Sequence, residues 1–170
     1  EYEKRANIDD TEIVRGLLNK AIELDNNLIS AIILLGWTYL ETGDYDKAMD
    51  IYTSALKQAE KLGDKRGMGL ILSNIGVVYA NKGEYDKTMD YYEKSLAIFE
   101  EIDDKSGVGK NLNNMAIDYY LQGDSDKALD YFERSLAIAE EIGKKRAMGF
   151  SLSNIGNVYK NKGEYDKALD

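Results

Sequence analysis

Residues 81–102 read NKGEYDKTMDYYEKSLAIFEEI, and residues 121–142 read LQGDSDKALDYFERSLAIAEEI. The two stretches align without a gap at an offset of 40 residues. Glycines, tyrosines and Asp-Lys pairs keep the same offset along the chain. These series are Gly43, Gly83, Gly123 and Gly163; Tyr39, Tyr79, Tyr119 and Tyr159; and Asp46-Lys47, Asp86-Lys87, Asp126-Lys127 and Asp166-Lys167. The chain is therefore built from repeats, and its fold has to be explained one repeat at a time.

Each period contains two helix-length segments that flank one glycine. The large side chains of residues 72–79 and of residues 85–99 recur at steps of three and four, which is the spacing of one helical face. The glycine between them favours the left-handed conformation that ends a helix, and the acidic residue after it favours the next helix start. The unit is therefore predicted to be helix, tight turn, helix. Such units must stack, because one unit alone cannot bury its apolar face.

We predict an all-α fold, a superhelix of antiparallel helix pairs with about eight helices in a single array. Asp9 followed by Glu12 predicts a capping box at the start of the first helix. Small residues at the Gly36, Gly76, Ala116 and Gly156 positions should let the two helices of a pair approach closely. The predicted helices are 9–25, 29–42, 44–62, 64–82, 84–102, 104–122, 124–142 and 144–162. The array divides into a half repeat at 9–28, full repeats at 29–68, 69–108 and 109–148, and a truncated repeat at 149–170.

Glycines inside the predicted long helices have two interpretations. They could mark positions where the backbone of the long helix contacts the preceding helix closely, or the helix could break at residues 67–69. Ala147 replaces glycine in the last copy, which favours a helical site. The positions concerned are Gly67, Gly69, Gly107, Gly109 and Gly149.

The composition excludes most strong chemistry. The 170 residues contain no Cys and no His, so Cys-His and Ser-His-Asp machinery and nitrogen–sulfur zinc sites are excluded. Acidic pairs such as Glu100-Glu101 recur at helix ends and are interpreted as a solvated face. The net charge of −9 disfavours nucleic acid, and no apolar run approaches the roughly 20 residues of a membrane helix. We predict no enzyme activity, no cofactor or metal, no nucleic-acid or membrane partner, and a cytoplasmic location.

One set of residues resembles a known family. Leu35-Gly36-x-x-Tyr39, followed by Gly43, Ala48, Tyr52 and Ala55, is similar to the tetratricopeptide repeat. The pattern recurs from Ile75-Gly76 and from Met115-Ala116, and it begins again at Ile155-Gly156. The period is 40 rather than the usual 34, and Glu60, Glu100 and Glu140 stand where the closing proline is expected. Arrays of this longer type occur in bacterial signalling proteins.

The resemblance implies a concave face, lined by the first helix of each pair, where peptides and partner proteins bind. The sequence places asparagines there one repeat apart, and an amide can both donate to and accept from an extended peptide backbone. The same asparagines could instead hydrogen-bond within or between helices. The candidate contact residues are Asn74, Asn114, Asn154, Asn113, Asn157, Lys110 and Tyr120.

Two details of that face bear on specificity. One subfamily binds a terminal carboxylate of chaperone partners through groove Lys and Arg, and that specificity is not expected here. The corresponding positions lack basic residues and read Ile33, Trp37, Ser73, Val77, Asn113 and Ile117. Trp37, together with Ile33 and Leu40, forms an apolar patch. The patch either anchors a partner side chain or is covered by an upstream helix.

Three functions remain open from the sequence. The first is a scaffold that binds an extended peptide or a partner protein. The second is a regulatory or sensor segment of a larger bacterial signalling enzyme, such as a nucleotide cyclase or a kinase, because similar arrays are attached to such enzymes. The third is end-to-end self-association, because the chain stops soon after a helix begins and leaves Leu152, Ile155 and Tyr159 without their full cover.

Overall fold

The computed structural model describes the backbone of residues 2–25 and 27–169, and the side chains of residues 10–25, 27–166 and 168. These described residues form nine α-helices and no β-strand. In chain order the helices are α1 (Tyr2–Leu24), α2 (Ile29–Glu41), α3 (Tyr45–Leu62), α4 (Lys65–Asn81), α5 (Tyr85–Glu101), α6 (Lys105–Leu121), α7 (Ser125–Glu141), α8 (Lys145–Lys162) and α9 (Tyr165–Leu169). Helices α4, α6 and α8 start 40 residues apart, so the sequence period is also the period of the structure.

Helices α2 to α8 begin and end within one residue of their predicted limits. The first helix is the exception, because α1 begins at Tyr2 rather than near residue 9. The capping box predicted at Asp9 is therefore wrong, since Asp9 lies inside the helix. No Gly or Pro interrupts residues 2–15, so nothing in the local sequence ends the helix before residue 9.

Consecutive helices pack as antiparallel neighbours in two layers. The inner layer contains α2, α4, α6 and α8, and the outer layer contains α3, α5 and α7. Within the inner layer, α2 also contacts α4, and α4 contacts α6. The predicted all-α superhelix of helix pairs is confirmed.

The glycine between the helices of a pair adopts the predicted left-handed conformation. Gly43, Gly83 and Gly123 have φ angles of 77°, 75° and 84°. The next helix then starts on an acidic residue, as predicted. The Asp124 carboxylate accepts the Lys127 backbone N–H at 3.1 Å, which satisfies one of the free donors of the first turn.

Close packing within the pairs α2–α3 and α4–α5 depends on a glycine that faces a large aromatic ring. A Cβ atom on Gly76 would lie 2.6 Å from Cε1 of Tyr92, and one on Gly36 would lie 2.5 Å from Cε1 of Tyr52. Both rings are buried. The small-residue series therefore has the role that the sequence predicted for it.

Helix α4 is unbroken through residues 67–69, so the predicted alternative of a helix break is wrong. Gly107 lies directly against Phe99 of the preceding helix, which confirms the close-contact interpretation at that position. Gly69 also contacts Phe99, but here the ring belongs to the following helix. Phe99 thus fills the space between α4 and α6, and the two glycines make room for it.

The remaining glycines differ from this arrangement. Gly109 faces the following helix, where its Cβ atom would lie 3.2 Å from Cγ2 of Ile138. Among the described residues, no heavy atom beyond the chain neighbours of Gly149 and the adjoining backbone of α8 lies within 4 Å of its Cβ position, so the predicted contact with the preceding helix is wrong there. The outer helices are also tied to the inner ones by hydroxyls, since Ser95 and Ser135 donate to the carbonyl oxygens of Gly69 and Gly109 at 2.8 Å.

Candidate partner-binding groove

The inner helices line a concave groove of about 1080 Å³. Its lining combines apolar, amide and basic side chains, and no Asp or Glu is among the described residues that form it. The main side chains are Trp37, Leu70, Phe99, Ile117, Ile138 and Phe150; Asn74, Asn113, Asn114 and Asn154; and Lys105, Lys110, Lys144, Lys145 and Arg146. A surface of this kind can bury apolar side chains and hydrogen-bond a polypeptide backbone at the same time.

The apolar patch predicted at α2 is divided between the groove and the core. Trp37 is 37% exposed and lines the groove, so the alternative in which an upstream helix covers it is wrong. Leu40 is buried, and Ile33 packs on the hydrophobic core of the first repeats. Only the indole is therefore available as an anchor for a partner.

Five of the seven predicted contact residues lie in the groove, and three of them are partly engaged by the scaffold. Asn114 donates through Nδ2 to Ser73 Oγ at 3.4 Å, which links α6 to α4. Asn154 donates through Nδ2 to Asn113 Oδ1 at 3.3 Å, which links α8 to α6. Asn74 has no hydrogen-bond partner among the described residues. The amide row therefore both connects neighbouring helices and presents one free amide to the groove.

The other two predicted residues lie outside the concave groove. Asn157 lines a smaller hollow of about 380 Å³ beside Leu152, Lys160 and Tyr165. Tyr120 accepts a hydrogen bond from Nδ2 of Asn161. Neither residue is among those that line the concave groove, so a partner contact by either stays a prediction.

Sequence reasoning missed a buried polar group that centres on Tyr92. Asn111 is buried and donates through Nδ2 to the Tyr92 carbonyl oxygen at 2.7 Å. The Tyr92 hydroxyl donates a hydrogen bond to the carboxyl of Asp118, which is 3% exposed. Both polar residues are on α6. The available signal was their departure from the repeat pattern, because the equivalent residues one period earlier are Ile71 and Val78.

Burial sets the ionisation of this group. Desolvation raises the pKa of Asp118 to about 6, and the hydrogen bond from Tyr92 opposes that rise. Burial also raises the pKa of Tyr92, and the neighbouring carboxylate adds to the effect. A carboxyl group this deep cannot contact a partner in the groove, so we assign it to the scaffold.

Two searches bear on other kinds of site. Within residues 10–25, 27–166 and 168, no cluster of three or more acidic side chains is arranged to hold a metal ion. No helix in the described part of the chain is both long and apolar enough to cross a membrane.

Two family models agree with the architecture. Both are described as tetratricopeptide repeat; one matches residues 67–141, and the other matches residues 31–66 and 151–170. The chain belongs to the tetratricopeptide repeat family. The resemblance seen in Leu35-Gly36-x-x-Tyr39 and its copies is thereby confirmed. A search of curated proteins found no significant match.

Solved structures place the tetratricopeptide array among helical repeat proteins. It is similar to BtubC (BKLC) from P. vanneervenii, with 25% identity and a TM-score of 0.76 over 97% of this chain and 71% of that one. It is similar to aspartyl phosphate phosphatase F from Bacillus subtilis, with 18% identity and a TM-score of 0.72 over 98% of this chain and 55% of that one. A Rap protein complexed with Competence and Sporulation Factor gives 15% identity and a TM-score of 0.66 over 94% of this chain and 55% of that one. These likenesses agree with the helical repeat fold of the chain.

Proposed function

We propose that the tetratricopeptide array holds an extended segment of a partner protein in the concave groove and does not transform it. The observation that carries this proposal is the lining of the groove, which combines apolar side chains with amides around a volume of about 1080 Å³. A similar fold occurs in a Rap protein that is complexed with Competence and Sporulation Factor, which supports a binding role.

The groove amides have different parts in this proposal. Asn74 contacts the partner backbone directly, because its amide is free among the described residues. Asn114 and Asn154 rotate from their long hydrogen bonds, at 3.4 and 3.3 Å, toward the bound chain. Bonds of this length are weak, so little is lost when they are exchanged for bonds to a ligand.

Selection from a library of random peptides tests the proposal and requires no identified partner. We expect peptides that bind the whole 170-residue chain to be enriched, and their affinity to fall about tenfold in Trp37→Ala and in Asn74→Ala. Both variants should keep the melting temperature, because both side chains lie at the groove surface. The matched control is Thr53→Ala on the exposed face of α3. Failure to enrich any peptide, or equal affinity in all variants, would contradict the proposal.

A second candidate is a regulatory or sensor segment of a larger bacterial signalling enzyme, in which a nucleotide cyclase or kinase domain supplies the catalysis. The long period of the array favours it. In this case the protein is cytoplasmic, and binding of a partner in the groove changes the activity of the attached catalytic domain. The open reading frame around these 170 residues tests the candidate, which requires a catalytic motif beside the array.

The side of α8 that lies next to α9 supports the predicted end-to-end contact between two copies of this chain. Leu152 is 53% exposed and lies beside Tyr165 in the smaller hollow. Exposed apolar side chains this close together favour association. We expect sedimentation velocity to show a dimer whose fraction rises with protein concentration. The variant Leu152→Glu should remain monomeric. A single monomeric species at high concentration would show that the face is inert.

A further inference from the structure

We propose that the concave groove selects an acidic segment that also carries apolar side chains. The proposal rests on the proposed binding function and adds the chemistry of the partner. The chain as a whole has 31 acidic and 22 basic residues, yet its groove is lined by five cations and, among the described residues, by no acid. The lining of the groove therefore differs in sign from the chain as a whole, because it carries five of the 22 basic residues.

Part of the basic lining departs from the repeat pattern, whereas Lys145 and Arg146 match Lys65 and Arg66 of an earlier repeat. Lys144 stands where the two preceding repeats have Asp64 and Asp104, and the two residues after it are Lys145 and Arg146. Replacement of an acid by a base at that position reverses the local charge beside α6. Lys110 and the basic run Lys144 to Arg146 all lie in the third full repeat, 109–148. The preference for acidic side chains therefore belongs to one end of the groove.

Several of these cations are free to meet a ligand. Lys110 and Lys145 are exposed, and neither side chain forms an ion pair or hydrogen bond among the described residues. The Lys144 ammonium donates to the Ser106 hydroxyl at 2.7 Å. Lys105 is different, because it is paired with Glu141. Uncompensated ammonium groups around a partly enclosed groove attract carboxylates more strongly than isolated surface lysines do.

The groove also presents apolar side chains beside the cations, so the bound segment should contain apolar as well as acidic side chains. Phe150 is 56% exposed and Ile117 is 37% exposed, and both line the groove together with the lysines and the asparagines. The Arg146 guanidinium lies 5.5 Å from the centre of the Phe150 ring, so one site offers a charged and an aromatic contact together. A segment with acidic and apolar side chains would use both kinds of contact.

A terminal carboxylate is not needed for this recognition. Four of the cations are Lys110, Lys144, Lys145 and Arg146. None of them occupies the positions of Ile33, Ser73 or Asn113, where basic residues would bind the carboxylate of a chain end. Internal Asp and Glu side chains can reach them along the groove. Amidation of the C-terminus of a bound peptide should therefore leave its affinity unchanged.

The test compares the peptides selected by three forms of the whole chain. The variant Lys110→Glu/Lys145→Glu reverses the free groove charges. The control Lys57→Glu/Lys61→Glu makes the same change in net charge on exposed residues of α3, outside the groove. We expect the wild type and the control to enrich Asp and Glu at least about twofold over the unselected library, and the groove variant to lose that enrichment.

Direct titration then separates the possible outcomes. A selected peptide should lose affinity about tenfold when its Glu residues become Gln, and it should bind more weakly as salt rises. Enriched peptides that are neutral or basic, but depend on Trp37 and Asn74, would overturn the acidic selection and leave the binding function intact. Equal losses in both double variants would assign the effect to net charge and overturn the proposal. Tighter binding of a short single-stranded oligonucleotide than of any peptide would overturn it as well.

Discussion

Tyr52 and Tyr92 occupy equivalent positions in successive repeats, but their hydroxyls are treated differently. The Tyr92 hydroxyl bonds to Asp118, whereas the Tyr52 hydroxyl is buried without a hydrogen-bond partner among the described residues. The residue that would face Tyr52 by the repeat is Val78. One period later the ring is Phe132, which has no hydroxyl to satisfy. At one packing position, the three repeats therefore have a buried hydroxyl without a partner among the described residues, a buried hydroxyl with a partner, and no hydroxyl.

Removal of the two hydroxyls should have opposite effects. We expect Tyr92→Phe to lower the free energy of unfolding by about 1–3 kcal/mol, because it leaves the buried Asp118 without its donor. Tyr52→Phe should be neutral or stabilising, because it removes a buried donor that has no partner. Chemical denaturation of the two variants beside the wild type measures the difference. An equal loss in both would show that the Tyr52 hydroxyl finds a partner in solution.

Asp118 should make stability depend on pH in a defined window. Its pKa is about 6 in the folded chain and 3.8 ordinarily, so the folded state binds the proton more tightly. The free energy of unfolding should therefore fall as pH rises from about 4 to about 6, by on the order of 2 kcal/mol relative to Asp118→Asn. Above that window the difference between the two proteins should stay constant. A flat difference across the whole range would show that Asp118 is solvated.

At the scale of single helices, Phe99 decides how closely α4 and α6 approach. Its ring fills the space between Gly69 and Gly107, so each helix needs a glycine where it faces the ring. Helix α8 has Gly149 at the position equivalent to Gly69, but no described residue of another helix lies within 4 Å of its Cβ position. The same residue type is therefore a packing requirement in one helix and only a source of flexibility in another.

Alanine substitutions at these glycines should separate the two cases. Gly107→Ala should lower the free energy of unfolding by about 1–3 kcal/mol, because the methyl group would overlap the buried Phe99 ring. Gly149→Ala should raise it by up to about 1 kcal/mol, because alanine favours the helix and has room there. Thermal melts of both variants check this. Stabilisation by Gly107→Ala would mean that α5 and α6 separate easily.

The sequence was sufficient for the helices and insufficient for parts of the groove. Helices α2 to α8 follow from spacing, turn glycines and small residues because these act within one or two repeats. The exposure of Trp37 could not be predicted, because it depends on how far α1 extends and where it crosses α2. The hydrogen bonds of Asn114 and Asn154 depend on the distance between inner helices, which periodicity does not give.

On the scale of the whole molecule, contacts join each helix mainly to its neighbours in the chain. Stability in such an array is close to a sum over adjacent units, so the ends should be weaker than the middle. The burial of side chains agrees with this. Helix α4 buries Ile71, Leu72 and Ile75, whereas the buried residues of α8 are Ser151 and Val158.

Hydrogen exchange should reveal this gradient. We expect the amides of α4 and α5 to be protected about tenfold or more relative to those of α8, because α8 opens without disturbing the central pairs. Mass spectrometry of peptides from each helix measures the rates. Uniform protection along the chain would instead show that the array unfolds as one cooperative unit.

The nearest-neighbour arrangement has a consequence for how such a chain can change in length. Tyr92 and Asp118 both lie within residues 81–120, which span one full period. Recombination that deletes this span would remove donor and acceptor together and rejoin α4 to α7 through a turn of the usual kind. Gain or loss of this whole unit by unequal crossing-over therefore leaves neither the Tyr92 hydroxyl nor the Asp118 carboxyl buried without its partner. The length of the groove can then vary between descendants without an unpaired carboxyl in the core.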